Sequence, residues 1–124
     1  MFCVTHNYTA YPMVRHARDM VRAGAIGDVR QIQLTYVQGH NATLVEGESS
    51  NPNWRFDSKI AGPSLVLGDI GTHAHHLGAF VSGQELTEVM AEVWATVPGR
   101  TADDTANVLM RLSLIHISEP TRRS

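Results

Sequence analysis

Runs of alternating and helix-spaced apolar residues divide the chain into successive segments. Residues 1–6 read as a short β-type run that ends in the polar Thr5-His6-Asn7. Tyr11-Pro12 then opens a helix, with proline at a first-turn position where its missing N–H costs nothing. Met13, Val14, Ala17, Met20 and Val21 are predicted to form its apolar face, and Arg15, Arg18, Asp19 and Arg22 to face water. Gly24 supplies the stop. Residues 29–38 alternate: Ile32, Leu34 and Tyr36 fall on one side, Gln31, Gln33 and Thr35 on the other. This predicts a half-buried strand with one polar face.

From 39 to 62 no period holds, and Gly, Asn, Ser, Glu and Pro predominate. That predicts a long loop, and connections of such length usually carry function or lack order. Residues 69–81 have helical spacing and no proline before Ser82-Gly83. Two alternating runs follow, 86–97 and 105–111, joined by Pro98-Gly99-Arg100-Thr101. They predict an antiparallel hairpin. The order is strand, helix, strand, long loop, helix, strand, strand. The predicted class is therefore α+β (α/β): a partial, open-faced, mixed but largely antiparallel sheet with helices on one side.

The candidate chemistry lies in Gly68-Asp69-Ile70-Gly71-Thr72-His73-Ala74-His75-His76. Residues three and four apart share a helical face, so Asp69, His73 and His76 are predicted to form one polar stripe. Ile70, Ala74, Leu77 and Val81 form an apolar stripe beside it. A carboxylate one turn before an imidazole can orient it and favour its protonated form, which is how a general acid/base is tuned. A surface histidine cluster near a helix start, with Asp69 serving the helix dipole, has the same sequence. In the long loop, Trp54 is expected to pin the chain to the core and Arg55 to wall a ligand.

Composition narrows the classes. The 124 residues suffice for one domain with a modest core. A net charge of −2 without a basic run argues against nucleic acid and anionic membrane as partners. The single cysteine, Cys3, excludes an internal disulfide and any CxxC site and fits a reducing, cytoplasmic setting. No apolar run approaches the roughly 18 residues of a membrane span, and Phe2-Cys3-Val4 is too short for a signal-peptide core.

Two resemblances complete the reading. Leu112-Ser113-Leu114-Ile115-His116-Ile117-Ser118-Glu119-Pro120-Thr121-Arg122 resembles a translated adaptor peptide from DNA sequencing libraries. Residues 112–124 are accordingly expected to be a foreign tail that adds little to a core. The rest of the chain resembles the Gfo/Idh/MocA oxidoreductases, relatives of glucose–fructose oxidoreductase and inositol dehydrogenase. The motifs are Thr5-His6-Asn7-Tyr8, Tyr11-Pro12-Met13-Val14-Arg15, Ala23-Gly24-Ala25-Ile26-Gly27-Asp28-Val29-Arg30, Trp54-Arg55-Phe56-Asp57 and Gly68-Asp69-Ile70-Gly71-Thr72-His73, in that order.

The resemblance implies a two-part enzyme using NAD or NADP on a small sugar, inositol or polyol. Residues 1–10 would end its Rossmann domain. Residues 11–111 would be part of its substrate-binding domain, and the open sheet face would make a homo-oligomer. Neither a G-x-G-x-x-G loop nor the family's Glu-Lys-Pro segment occurs in this chain. The chain is therefore expected to be a truncated fragment, inactive by itself. Carried over residue by residue, His73 matches the acid/base and Asp69 the carboxylate that binds a substrate hydroxyl or orients it. His76, Arg55 and Tyr8 fall at substrate-facing positions, although many relatives carry aspartate where His76 stands. His6 and Asn7 lie toward the nicotinamide. For Tyr8 and Tyr11, core packing is the competing reading. Two rival functions use the same residues otherwise: a metal-dependent sugar isomerase or hydrolase built on Asp69, His73 and His76, and a non-catalytic dimerisation module.

Overall fold

The computed structural model describes residues 2–39, 41–42 and 54–113. After a 3-10 turn at Asn7–Ala10, helix α1 spans Pro12–Arg22. A second 3-10 turn at Trp54–Phe56 leads into the one-turn helix α2, Ser58–Ala61. A π-helical turn at Leu67–Gly71 runs straight into helix α3, Thr72–Ser82. Strands β1 (Leu86–Trp94) and β2 (Thr105–Leu112) form one antiparallel pair.

The ends of α1 follow the sequence signals. Tyr11 precedes the helix and Pro12 occupies its first turn. At the far end Gly24 adopts φ 74°, Gly24 N–H donates to the Val21 carbonyl and Ala25 N–H donates to the Met20 carbonyl. This double closure is a Schellman motif, and its left-handed residue favours glycine. The buried side differs from the predicted one. Val14, Ala17, Arg18 and Val21 are the half-buried residues, whereas Met13 and Met20 are exposed. Arg18 was predicted to face water; its guanidinium lies 4.4 Å over the Phe80 ring of α3. The aromatic face attracts the cation, and the long stem covers apolar surface on the way.

Two predicted strands are absent from the ladder. Residues 2–6 form no ladder with another strand among the described residues, and neither do 29–38. The alternation of 29–38 is still expressed in which way its side chains point. Ile32 and Leu34 face α3 at Gly78, where an added Cβ would stand 2.8 Å from Leu34 Cδ1. Tyr36, two residues on, reaches Tyr8. Gly78 thus lets this segment approach the helix closely.

The helix carrying the histidines begins earlier than 69, with helical backbone from Leu65. Ser64 accepts a hydrogen bond from Leu67 N–H on its hydroxyl, and the Asp103 carboxylate accepts from Leu65 and Val66 N–H. These bonds satisfy the N–H groups left open at a helix start. The helix ends at Ser82, with Gly83 left-handed at φ 71°.

The hairpin is as predicted, with β1 three residues shorter, ending at Trp94, and β2 one residue longer, ending at Leu112. Val89 pairs with Met110, Ala91 with Val108 and Val93 with Ala106, giving one wholly apolar face. Ser113 N–H donates to the Glu85 carbonyl, so the ladder runs into the first two residues of the predicted foreign tail. Residues 114–124, like 43–53, lie outside the described residues. No helix among the described residues is long and apolar enough to cross a membrane.

Candidate functional site

Five rings meet, two from residues 6–8 and three from α3. The His6 and His76 rings stack, centroids 4.3 Å apart and planes 16° apart. His73 meets His6 edge-on at 5.3 Å and 85°. Tyr8 meets His73 edge-on at 5.1 Å, and Phe80 continues the His76 side at 6.4 Å. The 3-10 turn that begins at Asn7 presents Tyr8, and the α3 spacing puts His73 and His76 on one face, as predicted.

Polar atoms of this cluster lack partners. His6 Nε2, His73 Nδ1 and His76 Nδ1 are shielded from solvent and make no hydrogen bond within the described residues. Such groups cost about 1–3 kcal/mol each when nothing satisfies them. Burial first, and then the neighbouring His6, His75 and His73, lower the pKa of His76 and favour its neutral form.

Asp69 sits in the π-helical turn that precedes α3. The Thr72 N–H donates to the Leu67 carbonyl, five residues back, so the turn holding Asp69 is wider than an α-turn. Asp69 bonds Arg55, whose Nε donates to Oδ2 at 3.3 Å, rather than His73. Arg55 in turn lies 4.7 Å over the Trp54 ring. Trp54, predicted to pin the loop, is 52% exposed. The neighbouring Phe56 does the pinning, beneath the guanidinium of the buried Arg100 at 5.1 Å. Arg100 also donates to the Asn41 carbonyl and, at 2.9 Å, to Asp104.

Tyr8 does more than pack. Its hydroxyl shares a hydrogen bond with that of Tyr36, and Gln38 Nε2 donates to Tyr36 Oη at 3.0 Å. The bond to Tyr36 first, and then burial, raise the Tyr8 pKa and keep the phenol protonated. Tyr11 is more than half exposed, which departs from the core reading. Asn7 is exposed on its turn. Among the described residues, no three carboxylate, imidazole or thiol groups are arranged to hold a metal ion. The three imidazoles stack and abut; they do not converge on one point. The sequence assigned no site role to Tyr36, Gln38, Ser64, Asp103 or Arg100. Pro63-Ser64 before an apolar run was the readable sign for the helix start.

The match to known proteins follows the same frame. A family model described as the GFO/IDH/MocA C-terminal domain matches residues 14–117, and the chain belongs to that family. It is 37% identical over 111 residues to the uncharacterized oxidoreductase YfiI of Bacillus subtilis, covering 86% of this chain and 28% of that protein. It is 35% identical over 97 residues to levoglucosan dehydrogenase of Pseudarthrobacter phenanthrenivorans, covering 78% and 23%. An inositol dehydrogenase homologue from Azotobacter vinelandii, solved in complex with NAD+, superposes with a TM-score of 0.78 at 32% identity, covering 88% of this chain and 28% of that one. The chain thus spans about a quarter of the curated relatives it matches.

Proposed function

We propose that this chain is the substrate-facing part of an NAD(P)-dependent oxidoreductase acting on a sugar, an inositol or a related polyol, with His73 as its acid/base. The observation that carries the reading is the shielded nitrogens of His6, His73 and His76, which have no partner among the described residues. A site with buried polar groups lacking partners is built to receive polar atoms of a ligand. Family membership and relatives named for inositol and levoglucosan support the substrate class. Residues 1–10 are then the end of a Rossmann domain, 11–111 a partial substrate and oligomerisation domain, and 112–124 a foreign tail. The 124 residues alone are inactive, and the parent assembles through the open sheet face.

His73 takes the hydroxyl proton as the substrate carbon is oxidised and returns it in reverse. The nicotinamide of a bound NAD(P) supplies the hydride acceptor or donor. His6 and Asn7 are the residues that would hold its reactive end. The fit rests on His6 Nε2, which is shielded and has no partner among the described residues. His76 and Arg55 contact substrate, and Asp69 binds a hydroxyl while it orients Arg55. Tyr8 and Tyr36 together offer one hydroxyl hydrogen to substrate. The Tyr8–Tyr36 bond uses one phenolic hydrogen of the two, and Gln38 donates into the pair. The second phenolic hydrogen is left for a ligand oxygen.

The protein carrying this chain, given NAD+ or NADP+ and a panel of sugars and inositols, is expected to generate reduced nicotinamide. Absence of turnover across the whole panel with both cofactors would overturn the reading.

A further inference from the structure

We infer that the β1–β2 connection is a positioning element for the Arg55–Asp69 pair, acting through Asp103 on one member and through Asp104 and Arg100 on the other. The inference rests on the reading of Arg55 and Asp69 as substrate-facing and adds residues that reading does not use.

Asp103 grips the segment behind Asp69. Its Oδ1 accepts from Leu65 N–H at 2.9 Å; its Oδ2 accepts from Val66 N–H at 3.0 Å and from the Ser64 hydroxyl at 2.7 Å. Ser64 passes the constraint on by accepting from Leu67 N–H, the first residue of the π-turn. A carboxylate holding three donors fixes where the helix begins, and so where the widened turn presents Asp69.

Asp104, the next residue, governs the other side. Its Oδ1 accepts from Thr96 N–H, the Thr96 hydroxyl and the Thr105 hydroxyl. Its Oδ2 accepts from Val97 N–H and from Arg100. Burial by itself would raise the Asp104 pKa, but the bonds from Thr96, Thr105 and Val97 outweigh it and hold the carboxyl well below the usual range. The carboxylate therefore stays charged and keeps Arg100 folded inward. The Arg100 guanidinium covers Phe56, the neighbour of Arg55 in the Trp54–Phe56 turn. Adjacent aspartates of one connection thus hold both supports of the pair, and neither touches Arg55 or Asp69 itself. An ion pair as exposed as this one gains little from its own charges, so its geometry depends on the supports around it.

The test uses the protein carrying this chain, with isotope-labelled arginine, and follows exchange of the Arg55 Nε–H by NMR. Asp103→Asn and Arg100→Lys are each expected to accelerate that exchange by about tenfold, the factor that a typical net hydrogen bond represents. Backbone amides of the β1–β2 ladder should keep their rates. Glu88→Gln, which breaks the exposed Arg111–Glu88 pair on the same hairpin, should move neither. Both positioning variants should also raise KM for the polyol more than they lower kcat. An unchanged Arg55 Nε–H in both variants would overturn the inference. So would acceleration of the ladder amides by the same factor, because that reports general loosening. Should Asp103→Asn fail to fold, Arg100→Lys decides. A shifted Arg55 proton in a protein without dehydrogenase turnover would uphold the positioning and sink the polyol reading.

Discussion

The His6 ring lies stacked on the His76 ring, 4.3 Å between centroids, joining the start of the chain to α3. Neighbouring imidazoles and burial both oppose a proton on His76. The folded chain therefore protonates it less readily than the unfolded chain, whose histidine titrates at its ordinary value of 6.5. The stabilisation is full above that value and is lost as pH falls through the lower folded pKa. Melting temperature is expected to drop on acidification from pH of about 7 to about 5, the range in which histidine titrates. His76→Phe keeps a ring against His6 and Phe80 and should flatten the drop. Parallel pH curves for the two proteins would contradict this.

Arg55 and Asp69 are each about one-third exposed, at 35% and 30% of their side-chain surface. A pair in that setting contributes no more than about 1 kcal/mol to stability. Asp69→Asn should therefore leave the unfolding midpoint nearly unchanged while lowering kcat/KM. A double-mutant cycle with Arg55→Ala should show the two effects on kcat/KM to be non-additive, since the side chains touch. Full additivity would show that the bond does not operate when substrate is bound.

Local signals were the legible ones. Tyr11-Pro12 and Gly24 marked the limits of α1, Ser82-Gly83 the end of α3, and Pro98-Gly99 the hairpin turn, because caps and turns depend on neighbours in sequence. His73 and His76 fell on one face for the same reason. What depended on distant partners was not legible. Arg18 has the charge of a surface residue, and only Phe80 across the helix interface makes it a packing residue. The π-turn leaves no periodic trace, so Asp69 was aligned with His73 when it bonds Arg55. Phe56 rather than Trp54 packs the loop because Arg100, far along the chain, covers it. The alternation of 29–38 correctly sorted Ile32 and Leu34 to one side, but it could not reveal whether another strand lies alongside.

The apolar hairpin face leads to a third expectation. Val89, Val93 and Met110 are exposed on one side, and Met90 and Leu109, at 72% and 73%, on the other. Contiguous apolar surface of this kind drives association, as do the strand edges left unpaired among the described residues. Sedimentation of the 124-residue chain should show concentration-dependent self-association, reduced by Val93→Lys. A monomer at every concentration would count against it.

The central claim is that His73 moves the proton in a nicotinamide-linked oxidation. In the protein carrying this chain, the decisive measurement is kcat and KM of His73→Ala against the parent on its best polyol. A positioned acid/base contributes about a hundred- to ten-thousand-fold in rate, so kcat should fall by that order with KM little changed. His76→Ala should be milder and shift preference among polyols. Near-parent turnover by His73→Ala, with activity abolished in His76→Ala, would contradict the assignment.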